Sequence, residues 1–510
     1  MRGLPHDGKG KSTMRQLSPL DAQFLHLESE TTAAHVAGLA ILDSSGGTVH
    51  RDALAELLLD RVHLSPALSL RLTEVPFGLD RPYWSADPAF DLANHLFETA
   101  LPAPGDDEAL AGAVAAIHER RLDRSRPLWE MHLITGLAGD RVAVYTKVHH
   151  AAIDGVSGAE TLATLLDLTP EGARERGPRP APPAQDDAPG LLEMLAGAAV
   201  RSVTHPVLAA RSAVRAAGDL DAIPLAGALP GAKMIARAAR LVTGDQQRRP
   251  ELTELPGLTA PRTPFNGPIS ARRDLSFGSV PLKEVKKIAK AGDVSVNDVV
   301  MTLCASALRS WLEERDALPE EPLVVGVPVA VRTGGAKDVV GNQISAMVAP
   351  VPTNVADARE RLRAVGETMS RAKRRFAVAP ASWLGELCSL LPAPVTSLAT
   401  PAIFRLAGSV FPPINLIISN VPGPQFPLYM CGARVLAYYP LSVLTDVSGG
   451  VNITCFSYDG MLDFGIVACP ERLEDVWSLL GHLRDALDEL LAEGVGDEFS
   501  DGVGVDLVTG

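Results

Sequence analysis

Cysteine is scarce in this chain: five in 510 residues, at positions 304, 388, 431, 455 and 469, all in the second half. No two of them form a CxxC pair, and an odd, scattered set fits reduced thiols in a cytosolic protein better than disulfides or a zinc site. Positive charge is also in deficit, with 47 Lys and Arg against 61 Asp and Glu and a net charge of −14. No basic stripe offsets the resulting repulsion from phosphate, which argues against a nucleic-acid partner. The opening residues are polar and lack an apolar core, so no secretory signal is read there. A clean transmembrane helix is missing too. The nearest approach, Leu387 to Phe404, is uncharged but broken by Pro392, Pro394 and Pro401. Burial in the core is its simplest reading, ahead of lining a lipid tunnel or dipping into a membrane face. The G-x-S-x-G turn of a serine hydrolase is absent. Gly10-Lys11-Ser12-Thr13 imitates the end of a phosphate loop, but Pro5 stands where that loop needs glycine and no strand precedes it.

What is present is globular: 46% hydrophobic with 21% charged residues. The length exceeds one ordinary core, so two large domains are expected. Residues 1–13 read as a disordered N-terminus, with order beginning near Met14, and 14–176 as a first domain of alternating short strands and helices. Residues 177–262 read as a Pro-rich linker followed by an Ala-rich helical connector. Within it Arg201, Arg211 and Arg215 share one helical face, as do Lys233, Arg237 and Arg240. A basic amphipathic helix can lie on an anionic membrane, and equally can pack on its own domains. Residues 263–493 read as a second mixed domain, and 494–510 as an acidic tail. Ser295-Val-Asn297-Asp298 has the spacing of a helix cap. Val324 to Val331 and Ile414 to Ile418 read as buried strands, and Asp459-Gly460 joins two strands, 451–457 and 462–467, as a hairpin. A last amphipathic helix spans about 473–491.

The chemistry concentrates at His149-His150-Ala-Ala-Ile-Asp154-Gly155. Upstream, Val142, Val144, Thr146 and Val148 alternate with Ala143, Tyr145 and Lys147, the period of a strand. Successive side chains take opposite faces, so His150 continues the valine face and His149 points away. One imidazole is therefore expected to do chemistry while the other packs. A neutral imidazole buried among valines is suited to taking a proton from an alcohol. Gly155 permits close backbone approach.

This pattern resembles the HHxxxDG motif of CoA-dependent acyltransferases. Leu17-Ser-Pro-Leu-Asp21, Asp123-Arg-Ser-Arg-Pro127-Leu128-Trp129 and Asn297-Asp298 narrow the resemblance to the bacterial wax ester synthase/diacylglycerol acyltransferase family. Gly341-Asn342-Gln343, Ser419-Asn420-Val-Pro-Gly423-Pro, Asn452-Ile-Thr and Tyr458-Asp-Gly460 also match, over roughly residues 15–490. The resemblance implies a mixed α/β fold of two chloramphenicol-acetyltransferase-like domains, each a mixed sheet flanked by helices, joined by a helical linker. It implies long-chain O-acyl transfer from acyl-CoA to diacylglycerol or a long-chain alcohol, with His150 as general base and His149 supporting it. On the same basis Asp154 holds the turn by pairing with an arginine, for which Arg71 is the candidate. Asn297, with Asp298 beside it, is a candidate oxyanion donor or site support at a helix start. Pro127, Leu128 and Trp129 are a structural or acyl-lining element. No metal or cofactor is expected, acyl-CoA being a substrate. A cytoplasmic protein bound peripherally to the inner membrane face or to lipid inclusions is expected. Ala-rich, Arg-over-Lys usage suggests a high-GC bacterium and tilts the acceptor toward diacylglycerol. The competing readings are a condensation-type enzyme using a carrier protein and a non-catalytic lipid-droplet binding paralogue.

Overall fold

The computed structural model describes residues 15–153, 161–172, 190–202, 204, 234, 237–240, 260–330, 344–378, 395–397, 400 and 414–492. The strands of the first half are β1 (Arg15–Gln16), β2 (His35–Asp43), β3 (Leu70–Thr73), β4 (Tyr83–Ala86), β5 (Leu96–Ala100), β6 (Trp129–Leu137) and β7 (Arg141–His149). Those of the second are β8 (Asp274–Pro281), β9 (Leu323–Ala330), β10 (Ile344–Val351), β11 (Leu416–Val421), β12 (Tyr429–Met430), β13 (Ala433–Leu441), β14 (Val451–Tyr458) and β15 (Met461–Ala468). They form a small β1-β4-β3 sheet and two six-stranded mixed sheets, ordered β12-β13-β2-β7-β6-β5 and β10-β9-β11-β14-β15-β8. Both large sheets carry helices, so the expected mixed α/β architecture is the one observed.

Local chemistry accounts for several boundaries. The turn after β14 places Asp459 at φ 41° and Gly460 at φ 84°, the paired positive values that a two-residue hairpin requires. Ser295 and Asp298 form a reciprocal capping box at the start of the helix Val296–Glu313. That helix is the hub of the second core: Val299, Val300, Leu303, Cys304, Ala307 and Trp311 are all buried. Burial pushes the Cys304 thiol up to about 12, so this cysteine behaves as a small apolar residue. Cys431, Cys455 and Cys469 are likewise free thiols, and Cys388 lies outside the described residues.

The linker does not separate the sheets as the sequence boundary at 262/263 implies. Strands β12 and β13 come from the second half yet complete the first sheet, with β13 antiparallel to β2 from Val435↔Leu42 to Leu441↔Ala37. Without β13, β2 would be an open edge with a row of unpaired backbone groups. Gly38 permits the pairing: a Cβ there would stand 1.8 Å from the hydroxyl oxygen of Tyr438. At the same junction the Asp463 carboxylate accepts the Tyr438 backbone N–H at 2.8 Å and the Ser279 hydroxyl at 2.6 Å.

The first stretch of the connector is docked on its own domain. Met194 and Ala198 pack with Val75 beside Tyr83, and Arg201 ion-pairs with Asp80 and donates to the Tyr83 hydroxyl at 2.8 Å. The Arg201 end of the basic face is thus turned to protein. Arg211, Arg215 and Lys233 lie outside the described residues, as do the linker 177–189 and most of Leu387 to Phe404. Among the described residues no helix is long and apolar enough to cross a membrane.

Candidate active site

The site grows from one short helix and the end of one strand. The helix Pro19–Leu27 starts at a capping box in which Ser18 accepts the Asp21 N–H at 3.0 Å and Asp21 accepts the Ser18 N–H at 3.3 Å. Pro19 occupies a first-turn position, where its missing N–H costs nothing. The Leu17-Ser-Pro-Leu-Asp21 signature is thus a helix start, and the helix presents Phe24 and, four residues on, Glu28 at its C-cap.

Strand β7 ends at His149, and His150 lies just beyond it, its backbone N–H donating to Ala34 O at 2.8 Å. The His150 ring is half-buried and stacks face to face on Phe24, with centroids 3.9 Å apart and planes 5° from parallel. An imidazole buried among valines is therefore not what His150 presents. The strand stops one residue early, and an aromatic ring from the neighbouring helix replaces the valine environment.

His149 is fully buried on the Tyr145 and Lys147 face of β7. That face is covered by protein, since both sides of this sheet pack into core. The His149 Nδ1 accepts the Ala151 N–H at 3.0 Å, so a neutral ring carries its proton on Nε2, which faces Glu28 Oε1 at 3.5 Å. Glu28 also accepts the Ala34 N–H at 3.1 Å and two donors of Arg124, at 3.1 and 2.7 Å. Burial works against the Glu28 charge, but His149 and then Arg124 outweigh it and bring its pKa down to about 2. Glu28 therefore clamps the strand on each side: Ala34, which receives His150, and the His149 ring.

The remaining candidates divide. Leu128 and Trp129 are fully buried. The Leu128 carbonyl accepts the His149 N–H at 2.9 Å, and the Trp129 indole donates to Leu68 O at 2.8 Å. Pro127 immediately precedes them, its carbonyl accepting the Trp129 N–H at 2.9 Å. This element supports the histidine strand through the backbone. Asn297 sits in the first turn of its helix, and its Oδ1 accepts from Asn420 Nδ2 at 3.4 Å. Two signature segments distant in sequence thus meet there. The Asp298 carboxylate serves its own helix cap and pairs with Lys373 at 3.4 Å. Arg71 Nε lies 3.7 Å from Asp87, while Asp154 and Gly155 lie outside the described residues.

Sequence reasoning did not single out Phe24, Glu28, Arg124 or Asn420 individually, although Arg124 and Asn420 stand inside quoted signatures. The legible signal for the first two was their four-residue spacing behind a capped helix start. A second buried polar group adjoins the site. His35 on β2 lies opposite His149 in the ladder, edge-on to His118 at 4.6 Å, and His118 Nδ1 is 2.7 Å from the Tyr145 hydroxyl. Burial, then the charges of Arg273 and Lys147, lowers the His118 pKa to about 3.

Two six-stranded mixed sheets, one of them with a strand ending at the histidine pair, define the fold class. The first condensation domain of the CDA synthetase overlays on the chain with a TM-score of 0.51 at 15% identity, covering 94% of this chain and 97% of that one, a likeness of fold alone. The closer comparisons are decisive. The wax ester synthase/diacylglycerol acyltransferase catalytic domain matches residues 17–300 and the WS/DGAT C-terminal domain matches residues 340–491. The chain belongs to the wax ester synthase/diacylglycerol acyltransferase family. A Mycobacterium tuberculosis protein named as a probable diacylglycerol O-acyltransferase is 34% identical over 484 residues, covering 94% of this chain and 99% of the relative. The solved wax ester synthase/diacylglycerol acyltransferase from Marinobacter aquaeolei VT8 overlays with a TM-score of 0.63 at 28% identity, covering 94% of this chain and 99% of that chain.

Proposed function

We propose that the protein is an O-acyltransferase that moves a long-chain acyl group from acyl-CoA to the hydroxyl of diacylglycerol, giving triacylglycerol, and to long-chain alcohols, giving wax esters. The observation that carries this reading is His150: half-buried, ring-stacked and anchored through its backbone just beyond β7, within the residues 17–300 that match the family's catalytic domain. His150 takes the proton of the acceptor hydroxyl as its oxygen attacks the thioester carbon. The C–S bond breaks, and the imidazolium returns the proton to the CoA thiolate. Base assistance of this kind contributes roughly 10²–10⁴-fold. Asn297, its Oδ1 tied to Asn420, has its amide donor end to offer the oxyanion. No cofactor enters this scheme.

Diacylglycerol is favoured as acceptor because the mycobacterial relative carries that activity in its name. Peripheral contact with a lipid surface is the consistent location. Phe77 is 92% exposed and Leu192 83% exposed, on segments joined by the Val75, Met194 and Ala198 cluster. Single exposed apolar residues are ordinary, but a lipid-facing rim has this character.

The test is product formation from a long-chain acyl-CoA with diacylglycerol or a long-chain alcohol. Wild type is expected to make triacylglycerol, wax ester or both, and His150→Ala to lose roughly 10²–10⁴-fold while keeping its thermal transition. Product from a carrier-protein thioester and none from acyl-CoA would replace this reading with the condensation-type one.

A further inference from the structure

The Phe24 ring lies parallel to that of His150 with centroids 3.9 Å apart, on a helix whose start is fixed by a reciprocal cap. We propose that Phe24 is a positioning residue for the base: it fixes the plane of the His150 ring and, through its π face, stabilises the imidazolium that forms as the acceptor hydroxyl loses its proton. The inference rests on the assignment of His150 as base and deepens it.

The physical asymmetry is in the protonation state. Against a neutral imidazole the benzene ring supplies ordinary packing. Against an imidazolium its negative face supplies a cation–π attraction, strong within about 6 Å of the ring centroid and stronger when water is excluded. Both rings are half-buried here. The contact therefore strengthens as the proton moves, and only an interaction stronger in the transition state than in the ground state raises kcat. Stacking also holds the ring in one orientation without taking up either nitrogen in the stack, which suits a group that must accept a proton and return it. A hydrogen-bonding neighbour in that place would compete for the lone pair. Phe24 has no polar atom with which to do so.

The experiment is a Phe24 series in the full chain, read as kcat and KM for acyl-CoA and acceptor, with thermal transitions alongside. Phe24→Leu keeps an apolar side chain and removes the π face. Replacement of Phe24 by pentafluorophenylalanine keeps the ring and reverses its quadrupole. Phe24→Tyr keeps both ring and quadrupole. The expected result is a fall in kcat of roughly 2- to 30-fold for the first two, unchanged KM values, and near-wild-type kcat for Phe24→Tyr. Wild-type kcat in the fluorinated variant would overturn the proposal, because ring shape alone would then suffice. A raised KM at unchanged kcat would also overturn it, making Phe24 a wall of the substrate channel. Full activity of His150→Ala would overturn both this inference and the base assignment, whereas an active wild type, a dead His150→Ala and an indifferent fluorinated variant would overturn this inference alone.

Discussion

Glu28 is the residue on which the histidine pair is hung, and its charge state is a prediction in itself. Its carboxyl sits at about 2 in the fold against an ordinary value of 4.5. A lowered carboxyl pKa contributes stability that is complete above the unfolded value and is lost as pH falls from about 4.5 toward 2. Glu28→Gln keeps an acceptor for Ala34 but removes the charge facing Arg124 and His149. It is expected to destabilise by roughly 1–3 kcal/mol at neutral pH. That is below the roughly 3–5 kcal/mol of a broken, fully buried pair, since Arg124 is 39% exposed and partly screened. Urea titrations should show the gap between wild type and Glu28→Gln closing as pH drops from 4.5 to 2; a gap constant with pH would mean the charge is not what holds the pair. Little of this was legible from sequence. The motif marks both histidines, but alternation could not say that both faces of β7 are buried or that the strand ends one residue before His150.

At the scale of elements, local signals served well. The capping box at Ser295, the hairpin at Asp459-Gly460 and strands β9 and β11 follow from short-range chemistry and lie within a few residues of where periodicity places them. The final helix, Val476–Ala492, begins three residues later than its apolar stripe suggests. The pairing of β13 with β2 had no such signal, because its partner lies almost 400 residues away and nothing in either strand's own pattern names the other. Its steric key is Gly38 against Tyr438. Gly38→Ala is expected to cost about 1–3 kcal/mol through overpacking. Combining it with Tyr438→Leu should recover part of that loss, because the two substitutions share one contact. Additive losses in chemical denaturation would show that the glycine serves something other than this approach.

For the molecule as a whole, acid sensitivity follows from the buried imidazoles beneath the site. His118 has a folded pKa of about 3 against 6.5 unfolded, and the His35 pKa is lowered well below 6.5, in both cases chiefly by burial. The unfolded chain therefore binds these protons first, and the stability present above pH 6.5 is lost as pH falls from 6.5 toward 3. Asp463 has the opposite sign. Burial raises its pKa to about 6 from 3.8, so it costs stability as pH rises through that interval. The histidines outnumber it, and a net loss on acidification is expected. His118→Gln, which leaves a polar partner near Tyr145 but does not titrate, should be less stable at pH 7 and show a flatter melting temperature between pH 6.5 and 4. A wild-type melting temperature that rises over that interval would contradict the assignment of these histidines as buried and neutral.

The family and the mixed two-sheet plan were readable from the signature segments spread along the chain, and the comparisons agree over nearly its whole length. The central claim is that His150 drives acyl transfer from CoA to a lipid hydroxyl. Its most direct measurement is the rate of free CoA thiol release from a long-chain acyl-CoA, with and without diacylglycerol or a long-chain alcohol, for wild type beside His150→Ala. The account predicts acceptor-dependent thiol release by the wild type that falls roughly 10²–10⁴-fold in the variant. Acceptor-dependent release at the same rate in both proteins would contradict it.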